Sequence, residues 1–372
     1  MIGFYLFIIT QFLLFCNSLP KTVDIFSRRM YTVTNTYPLK GNSIMKIAFA
    51  GLRHDHIFAV HKMALAQGEY EITGAFEEND AARERAETAF GVNCRYPTYE
   101  ALLSDDTVEA VALGGCYAHR GAMAIEALKA GKHVLADKPL CTDLSTLAEI
   151  ERLAGETGKK VSGMFTMRYE PKLRAVVELV KSGALGEINN IYFGGQHPLQ
   201  YGRRPMWYFE EGMHGGVIND IAIHGIDILS FAFGLNRFDV LSARCWNKYA
   251  DKELQFKDSA QFMLAADTGC GVLSDVSYAV PDGVEFGLPL YWQFNVWGTG
   301  GVLDFAIGKK DILFWKKGCK EVQVLEEIAP EADYMTDFLR LVRGEENLIL
   351  PMADVFAATR NTLTIQAEAD KR

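Results

Sequence analysis

The chain has 372 residues, of which 49% are hydrophobic and 23% charged, so it is long enough for two folded domains with large cores. Its formal net charge of −9 disfavours nucleic acid or an anionic membrane as a partner, because an acidic chain does not attract phosphate. Seven cysteines without a Cys-x-x-Cys pair indicate neither a zinc knuckle nor a disulfide framework, so we expect a reducing compartment, the cytoplasm, for the folded part.

The first 44 residues form a separate N-terminal extension. Residues 1–16 are an apolar run of signal-peptide length, and residues 17–44 have the composition of a linker. A secretion signal, an anchor and a start codon assigned too early are all compatible with this pattern. We favour the last, with Met45 as the first residue, because a buried strand begins there at once.

A strand, a tight turn and a helix follow in order, which is where a Rossmann fingerprint is expected. Residues 46–50 are apolar, and residues 57–67 have helical spacing. The turn reads Gly51-Leu52-Arg53-His54-Asp55-His56 and keeps only the first glycine of G-x-G-x-x-G. The guanidinium of Arg53 could meet a diphosphate directly. We therefore predict that a dinucleotide cofactor is bound here by four residues: Gly51, Arg53, His54 and His56.

Glu77 stands at the end of the second predicted strand, residues 71–76. An acid at this position hydrogen-bonds the adenosine ribose and repels a 2′-phosphate, so NAD is favoured over NADP. An equally compatible interpretation is that Glu77, Glu78 and Asp80 open the helix that runs to Phe90, where acids suit the positive end of the helix dipole.

Lys138 follows a short strand at residues 134–136, which itself follows a strand at 108–113 and a helix at 120–130. This alternation predicts a doubly wound parallel sheet over residues 45–165, with ligands at the carboxyl ends of its strands. We predict that Lys138 lies beside the cofactor, where a lysine could polarise a substrate oxygen or lower the pKa of a hydroxyl, although position alone favours a surface lysine.

Three histidines, His54, His56 and His61, have a spacing that superficially resembles a metal site. We predict no metal, because we do not expect a strand-to-helix bend to make these ligands converge.

Residues 166–372 form the predicted second domain. Its strand patterns predict an open, mainly antiparallel sheet with one solvated face. The predicted strands are 188–194, 240–248, 260–266, 270–279, 291–298, 302–307 and 311–315, and the predicted helices are 171–181, 215–235, 334–343 and 353–369.

Asp220, His224 and Asp227 lie at i, i+4 and i+7 of the predicted helix after Gly215-Gly216, which places them on one face. A carboxylate four residues before a histidine can fix its tautomer and raise its basicity, so the face suits proton transfer. A structural ion pair is the alternative. The preceding loop, residues 196–211, offers Trp207 and Tyr208 to stack on a sugar ring; alternatively these aromatic residues anchor the loop by burial.

Two long stretches carry a resemblance to a known family. They are A-G-K-H-V-L-A-D-K-P-L (130–140) and G-G-V-I-N-D-I-A-I-H-G-I-D (215–227), with support from residues 167–171, 183–186 and 351–354. They resemble motifs of the Gfo/Idh/MocA family of nicotinamide-dependent oxidoreductases, and the resemblance extends over residues 45–372. It implies a Rossmann domain, an α+β second domain whose open sheet pairs subunits into a dimer or tetramer, and bound NAD.

The resemblance implies that Lys138, Asp220 and His224 are catalytic. His224 would be the general acid/base, Lys138 would polarise the reacting hydroxyl, and Asp220 would hold substrate and imidazole. Arg168 is predicted to bind substrate with Trp207, Tyr208 and Asp220. The implied activity is dehydrogenation of a sugar, cyclitol or related polyol. A glycosidase that oxidises its sugar transiently and a non-catalytic sugar sensor are the alternatives.

The chain departs from the family pattern at three places. Arg53 and His56 replace fingerprint glycines, and Asp137 stands where the family usually has Glu. Gly115-Cys116-Tyr117 replaces the usual Thr-Pro-Asn, so the family's contacts to the nicotinamide cannot be transferred there.

Overall fold

The computed structural model describes residues 44–371, so the expectations for residues 1–43 lie outside the described part. Within that part, no helix combines the length and the apolar composition that a membrane span requires.

The first sheet has five strands in the order β2-β1-β3-β4-β5, and all of them are parallel, which confirms the predicted doubly wound parallel sheet. Its strands are almost entirely apolar because helices cover both faces. The order reverses between β1 and β3, where the carboxyl ends of the strands leave a crevice. The strands are β1 (Met45–Ala50), β2 (Tyr70–Phe76), β3 (Ala110–Leu113), β4 (His133–Ala136) and β5 (Val161–Gly163). The helices are α1 (His56–Ala66), α2 (Asp80–Phe90), α3 (Tyr99–Leu103), α4 (Tyr117–Lys129) and α5 (Leu144–Thr157).

The second sheet has eight strands in the order β13-β12-β11-β10-β6-β9-β8-β7. Every neighbouring pair is antiparallel except β6 and β9, which confirms the predicted mainly antiparallel sheet. Strand β6 runs four residues beyond its predicted end at 194, because pairing with β9 continues to Pro198. The strands are β6 (Ile188–Pro198), β7 (Phe238–Trp246), β8 (Ser259–Ala266), β9 (Gly271–Val280), β10 (Gln293–Gly298), β11 (Gly301–Ala306), β12 (Ile312–Lys316) and β13 (Gln323–Leu325).

The remaining helices connect and cover the two sheets. They are α6 (Pro171–Lys181), α7 (Ile223–Phe233), α8 (Tyr334–Val342) and α9 (Met352–Ala369), with 3-10 turns at Thr166–Tyr169, Met206–Phe209 and Glu285–Gly287 and a π-helical turn at Ile218–Ala222.

Helix α8 and the first half of α9 return to the first sheet, although the sequence places both helices in the second domain. Ile365 and Ala369, near the end of α9, pack in the core of the second domain. Met335 and Phe338 of α8 share a buried cluster with Ile47 and Phe49 of β1. Val355 of α9 packs in the cluster on the other face of the same sheet. An amphipathic helix buries its apolar stripe wherever a sheet face is uncovered, so chain order does not decide its layer.

Candidate functional site

Gly51 forms the turn after β1 and brings two strand ends into contact. Its φ is +70°, and a Cβ atom there would lie 2.6 Å from the Cα atom of Gly115. Its backbone N–H donates to the carbonyl of Phe76 at 3.0 Å. Only glycine combines this conformation with this approach, so the first fingerprint glycine keeps its structural role.

Glu77 lies beside this turn, at the end of β2 where it is predicted. Its carboxylate accepts hydrogen bonds from the backbone N–H groups of Leu52 and, at 2.9 Å, Asn79. The N-cap of α2 is Asn79, so Glu77 itself does not cap the helix. Burial raises the pKa of Glu77, and the two backbone N–H groups and the charge of Arg53 oppose that shift. The turn and the carboxylate are therefore held together as one unit.

His54, His56 and Asp137 form a cluster between the turn and the end of β4. His54 Nδ1 contacts Asp137 Oδ2, and His56 Nδ1 lies 3.1 Å from Asp137 Oδ1. Arg120 reaches Asp137 Oδ2 at 3.3 Å. The predicted reason against a metal is wrong here, since these two imidazoles do converge. His61 lies apart from them and packs edge-on against Phe49.

Lys138 and Asp220 form a buried ion pair across the two domains. Lys138 Nζ donates to Asp220 Oδ1 at 2.6 Å and to the Asp220 carbonyl at 2.9 Å. Tyr117 Oη donates to the same Oδ1 at 2.8 Å, and Oδ2 contacts Tyr278 Oη and, at 3.3 Å, His214 Nε2. Burial opposes ionisation of Asp220, but the charges and hydrogen bonds of Lys138 and His214 together outweigh it and keep the pKa well below its usual range. Asp220 is therefore a carboxylate at neutral pH.

A π-helical turn places Asp220. The turn spans Ile218–Ala222 and precedes α7, so the predicted single α-helix is interrupted there. Gln366 of α9 accepts a hydrogen bond from the N–H of Ile218 at 3.0 Å and occupies the space that a side chain at Gly216 would need. The inserted residue changes the helical register, and π turns are frequent at functional sites.

The predicted contact between Asp220 and His224 is wrong. The imidazole that contacts Asp220 is His214, whereas His224 Nδ1 is buried without a hydrogen-bond partner. Burial and then the charge of Lys138 lower the pKa of His224 well below its usual range. His224 is therefore neutral at neutral pH and lies within electrostatic range of Lys138.

Trp292 covers His224 and a second imidazole, His197. Each ring centroid lies 5.6 Å from that of Trp292. His197 Nδ1 is also buried without a partner, and burial lowers the pKa of His197 to about 3. Trp292 has a φ of +49°, which is unfavourable for a bulky residue and is typical of functional sites. Two neutral imidazoles under one indole thus present unpaired nitrogen atoms.

Trp207 and Tyr208 anchor the interdomain loop, so the prediction that they stack on substrate is not supported. Each is 1% exposed. Trp207 packs edge-on against Tyr117 at 5.0 Å, and its Nε1 donates to the Arg53 carbonyl at 3.3 Å. Tyr208 Oη lies 2.6 Å from Tyr117 Oη. Burial accounts for both aromatic side chains, the alternative left open by the sequence.

Arg168 lies apart from the catalytic cluster, which corrects its predicted role in substrate binding. Its Nε and Nη2 atoms donate to Asp227, at 2.6 to 3.0 Å. Its Nη1 donates to Asp354 and to the Ile349 carbonyl, both at 2.8 Å. Arg168 is 1% exposed, so its guanidinium ties α7 to the C-terminal segment.

Sequence reasoning missed three side chains around Asp220: Tyr117, His214 and Tyr278. Arg204, whose loop offers it to substrate hydroxyls or a carboxylate by sequence, lies as a cation over the rings of Tyr208 and Tyr278. Tyr117 stands in the segment that departs from the family pattern, and His214 directly precedes the Gly215-Gly216 pair. Both residues therefore lie next to motifs that the sequence already marks as part of the site. Tyr278 comes from the middle of a strand, and nothing in its local sequence points to the site.

The fold and the site define a two-domain protein with a dinucleotide-binding Rossmann fold and a polar cluster between the domains. Residues 45–165 match the profile described as "Oxidoreductase family, NAD-binding Rossmann fold", and residues 173–304 match the GFO/IDH/MocA C-terminal domain. The chain therefore belongs to the Gfo/Idh/MocA oxidoreductase family.

Among similar proteins, an uncharacterized oxidoreductase of Rhizobium meliloti is 32% identical over 135 residues, 36% of this chain and 39% of that protein. Inositol 2-dehydrogenase of Rhizobium meliloti is 23% identical over 191 residues, 51% of this chain and 56% of the enzyme. A crystal structure from Erwinia carotovora atroseptica superposes with a TM-score of 0.77 at 25% identity, over 87% of this chain and 98% of that one. The matches thus span at most about half of these curated relatives but nearly all of the solved structure.

Proposed function

We propose that this protein is an NAD-dependent oxidoreductase that transfers a hydride between a carbinol of a sugar, cyclitol or related polyol and nicotinamide. One observation carries the proposal. A buried lysine paired with a carboxylate lies within electrostatic range of a neutral, unpaired histidine, where the carboxyl ends of the Rossmann strands face the second domain. Perturbed titratable groups in a cleft of this kind mark functional sites.

The residues at the turn fit a dinucleotide. Gly51 keeps the close strand approach, Glu77 stands beside the turn for the adenosine ribose, and Arg53 contributes a charge in the same place. Arg53 would meet the diphosphate where the second fingerprint glycine is missing. When bound, NAD⁺ accepts the hydride from the carbinol carbon.

The chain's own groups handle the proton. His224 is neutral and can accept the hydroxyl proton through an imidazole nitrogen. The Lys138 ammonium donates to the oxygen on which negative charge develops. Asp220 stays ionised and fixes the amine through two contacts, with Tyr117 holding the same carboxylate oxygen. In the reverse direction the same groups return the proton.

The unpaired nitrogens of His197 and His224 support a polyol as the substrate class. A buried polar atom without a partner costs free energy, and neighbouring hydroxyl groups would supply the missing hydrogen bonds. Trp292, itself buried, packs against both imidazoles and holds their rings in place.

The test is an assay of the full chain with NAD⁺ and a panel of sugars and cyclitols, followed by NADH absorbance and product analysis. We expect one NADH for each oxidised carbinol. Release of an aglycone without net NADH would instead identify the glycosidase alternative. Binding of a panel member without either product would identify a sensor.

The cofactor preference provides a separate prediction. We propose NAD over NADP, because Glu77 is fixed beside the turn and would repel a 2′-phosphate. Glu77→Gln removes the charge and keeps the shape, so NADP⁺ affinity should rise roughly tenfold relative to NAD⁺ affinity. Calorimetric dissociation constants for both cofactors check this. An unchanged ratio in the variant would remove Glu77 from cofactor selection.

The outer face of the eight-stranded sheet supports a homo-oligomer. Met263 and Leu273 are paired across β8 and β9 and are 41% and 54% exposed. Trp297 and Trp315 extend the apolar surface on β10 and β12. An exposed apolar surface of this kind marks an interface.

The described cysteines, 94, 116, 141, 245, 270 and 319, are all free thiols, in keeping with a reducing compartment such as the cytoplasm.

Leu273→Glu should convert a dimer or tetramer into a monomer, because burying an unpaired carboxylate in the interface is unfavourable. Light scattering measures the mass. Leu254→Glu is the matched control, since Leu254 is 80% exposed and lies outside the strands. A monomeric wild type, or an oligomer that survives Leu273→Glu, would contradict the assignment of this face.

A further inference from the structure

His54, His56 and Asp137 are brought together by two segments that are 81 to 83 residues apart in sequence. One ligand atom from each, two imidazole nitrogens and a carboxylate oxygen, lie within 4.8 Å of one another. The side chains are 9%, 23% and 0% exposed, so the cluster is enclosed but reachable at His56. Two imidazoles and one carboxylate are the donor set of many transition-metal sites.

We propose that His54, His56 and Asp137 bind a divalent transition-metal ion of the Zn²⁺ class next to the dinucleotide turn. The three side chains supply three ligands. A fourth position of a tetrahedral ion would then be left for water or a ligand oxygen, since the partly exposed His56 keeps the cluster accessible.

The hydrogen bonds around Tyr117 support this assignment independently. Tyr117 Oη lies within hydrogen-bond distance of Asp220 Oδ1, Tyr208 Oη and, at 3.3 Å, His54 Nε2. A neutral His54 that donates from Nδ1 to Asp137 must accept at Nε2, so His54 and Asp220 would compete for the single hydroxyl proton of Tyr117.

A metal on His54 Nδ1 removes this conflict. The ring proton then resides on Nε2, which donates to Tyr117 Oη, and the hydroxyl proton of Tyr117 is left for Asp220. Metal-bound histidines usually donate their other ring N–H to an oxygen in this way. The Tyr117 hydroxyl thus connects His54 of the cluster to Asp220 of the ion pair with Lys138.

The surroundings of Asp137 hold its carboxylate in place. The backbone N–H of Lys138 donates to Oδ1 at 2.7 Å, and Arg120 contacts Oδ2 while also donating to the carbonyls of Gly115 and Pro139 at 2.9 Å. Arg120 offsets part of the carboxylate charge. We therefore expect weaker binding than in a structural zinc site with thiolate ligands.

The experiment titrates Zn²⁺ into the chelator-treated full chain by calorimetry and uses Co²⁺ as a spectroscopic probe. We expect one ion per chain. His56→Asn and Asp137→Asn should each weaken binding by at least about tenfold, since loss of an outer partner alone has that effect. His119→Asn removes an exposed histidine on α4 and should leave the affinity unchanged. Circular dichroism confirms that each variant is folded.

Three outcomes would overturn the proposal: no stoichiometric binding, binding that both His56→Asn and Asp137→Asn leave intact, or a thiolate-to-Co²⁺ charge-transfer band. The titration needs neither NAD nor substrate, so its failure is distinguishable from failure of the proposed dehydrogenase function.

Discussion

Replacing His224 by alanine is expected to lower kcat about 100- to 10,000-fold, the range for loss of a general acid/base, while the NAD⁺ dissociation constant changes only several-fold. The two effects separate because His224 is buried beside Trp292 and close to Lys138. The residues proposed to bind NAD⁺, namely Gly51, Arg53 and Glu77, lie at the dinucleotide turn. Steady-state kinetics with the substrate found in the panel and calorimetry with NAD⁺ separate the two effects.

The pH dependence of the wild-type rate tests the same role of His224. Burial and Lys138 lower the pKa of His224 below its ordinary 6.5, so the base is already neutral at that pH. Oxidation should therefore lose rate only at pH values below 6.5, and the loss should be absent from the residual activity of His224→Ala. His119→Ala, which removes an exposed imidazole, is the control. Unchanged kcat in His224→Ala would refute the assignment.

Replacing Arg168 by methionine should lower the free energy of unfolding by about 3–5 kcal/mol, the usual effect of breaking a buried ion pair. The substitution leaves the Asp227 carboxylate buried with no guanidinium to balance it. Denaturant unfolding measures the change. The dissociation constant for NAD⁺ and the KM for substrate should stay within twofold in the folded variant, because Arg168 lies apart from the catalytic cluster.

Two further variants test the cause of that loss. Arg168→Met with Asp227→Leu removes both charges and should recover part of the stability, since Asp354 is partly exposed and can remain solvated. Arg152→Met breaks exposed pairs with Glu149 and Glu156 on α5 and should change stability little. A normal stability for Arg168→Met, or a selective rise in KM, would restore the substrate-binding role.

Much of the fold follows from local patterns. The apolar run at 108–113 predicted a buried parallel strand, observed at Ala110–Leu113, and alternation along 260–266 predicted a half-exposed strand, observed at Ser259–Ala266. The sheet against which α8 and α9 pack could not be predicted. An apolar stripe shows that one face of a helix is buried, but it does not show which sheet covers that face. The π turn at Ile218–Ala222 was hidden for a similar reason, since Gln366 and Gly216, which frame it, come together only in three dimensions.

The site was predictable where a single stretch carries the chemistry. Lys138, Asp220 and His224 were identified from motifs, and the structure brings the first two into direct contact. Contacts across segments were not predictable. The pairing of Asp220 with His214, the burial of Trp207 and the convergence of His54 and His56 on Asp137 all depend on how separate segments of the chain pack in three dimensions.

In the proposed mechanism, Lys138 and His224 act on the same carbinol oxygen, beside the nicotinamide ring of bound NAD. A crystal structure of the full chain with NAD⁺ tests it most directly. We expect the diphosphate at residues 51–56, the adenosine ribose beside Glu77, and the reactive ring facing both Lys138 and His224. A cofactor bound elsewhere, or a ring separated from Lys138 by the Trp207 and Tyr208 loop, would contradict the account.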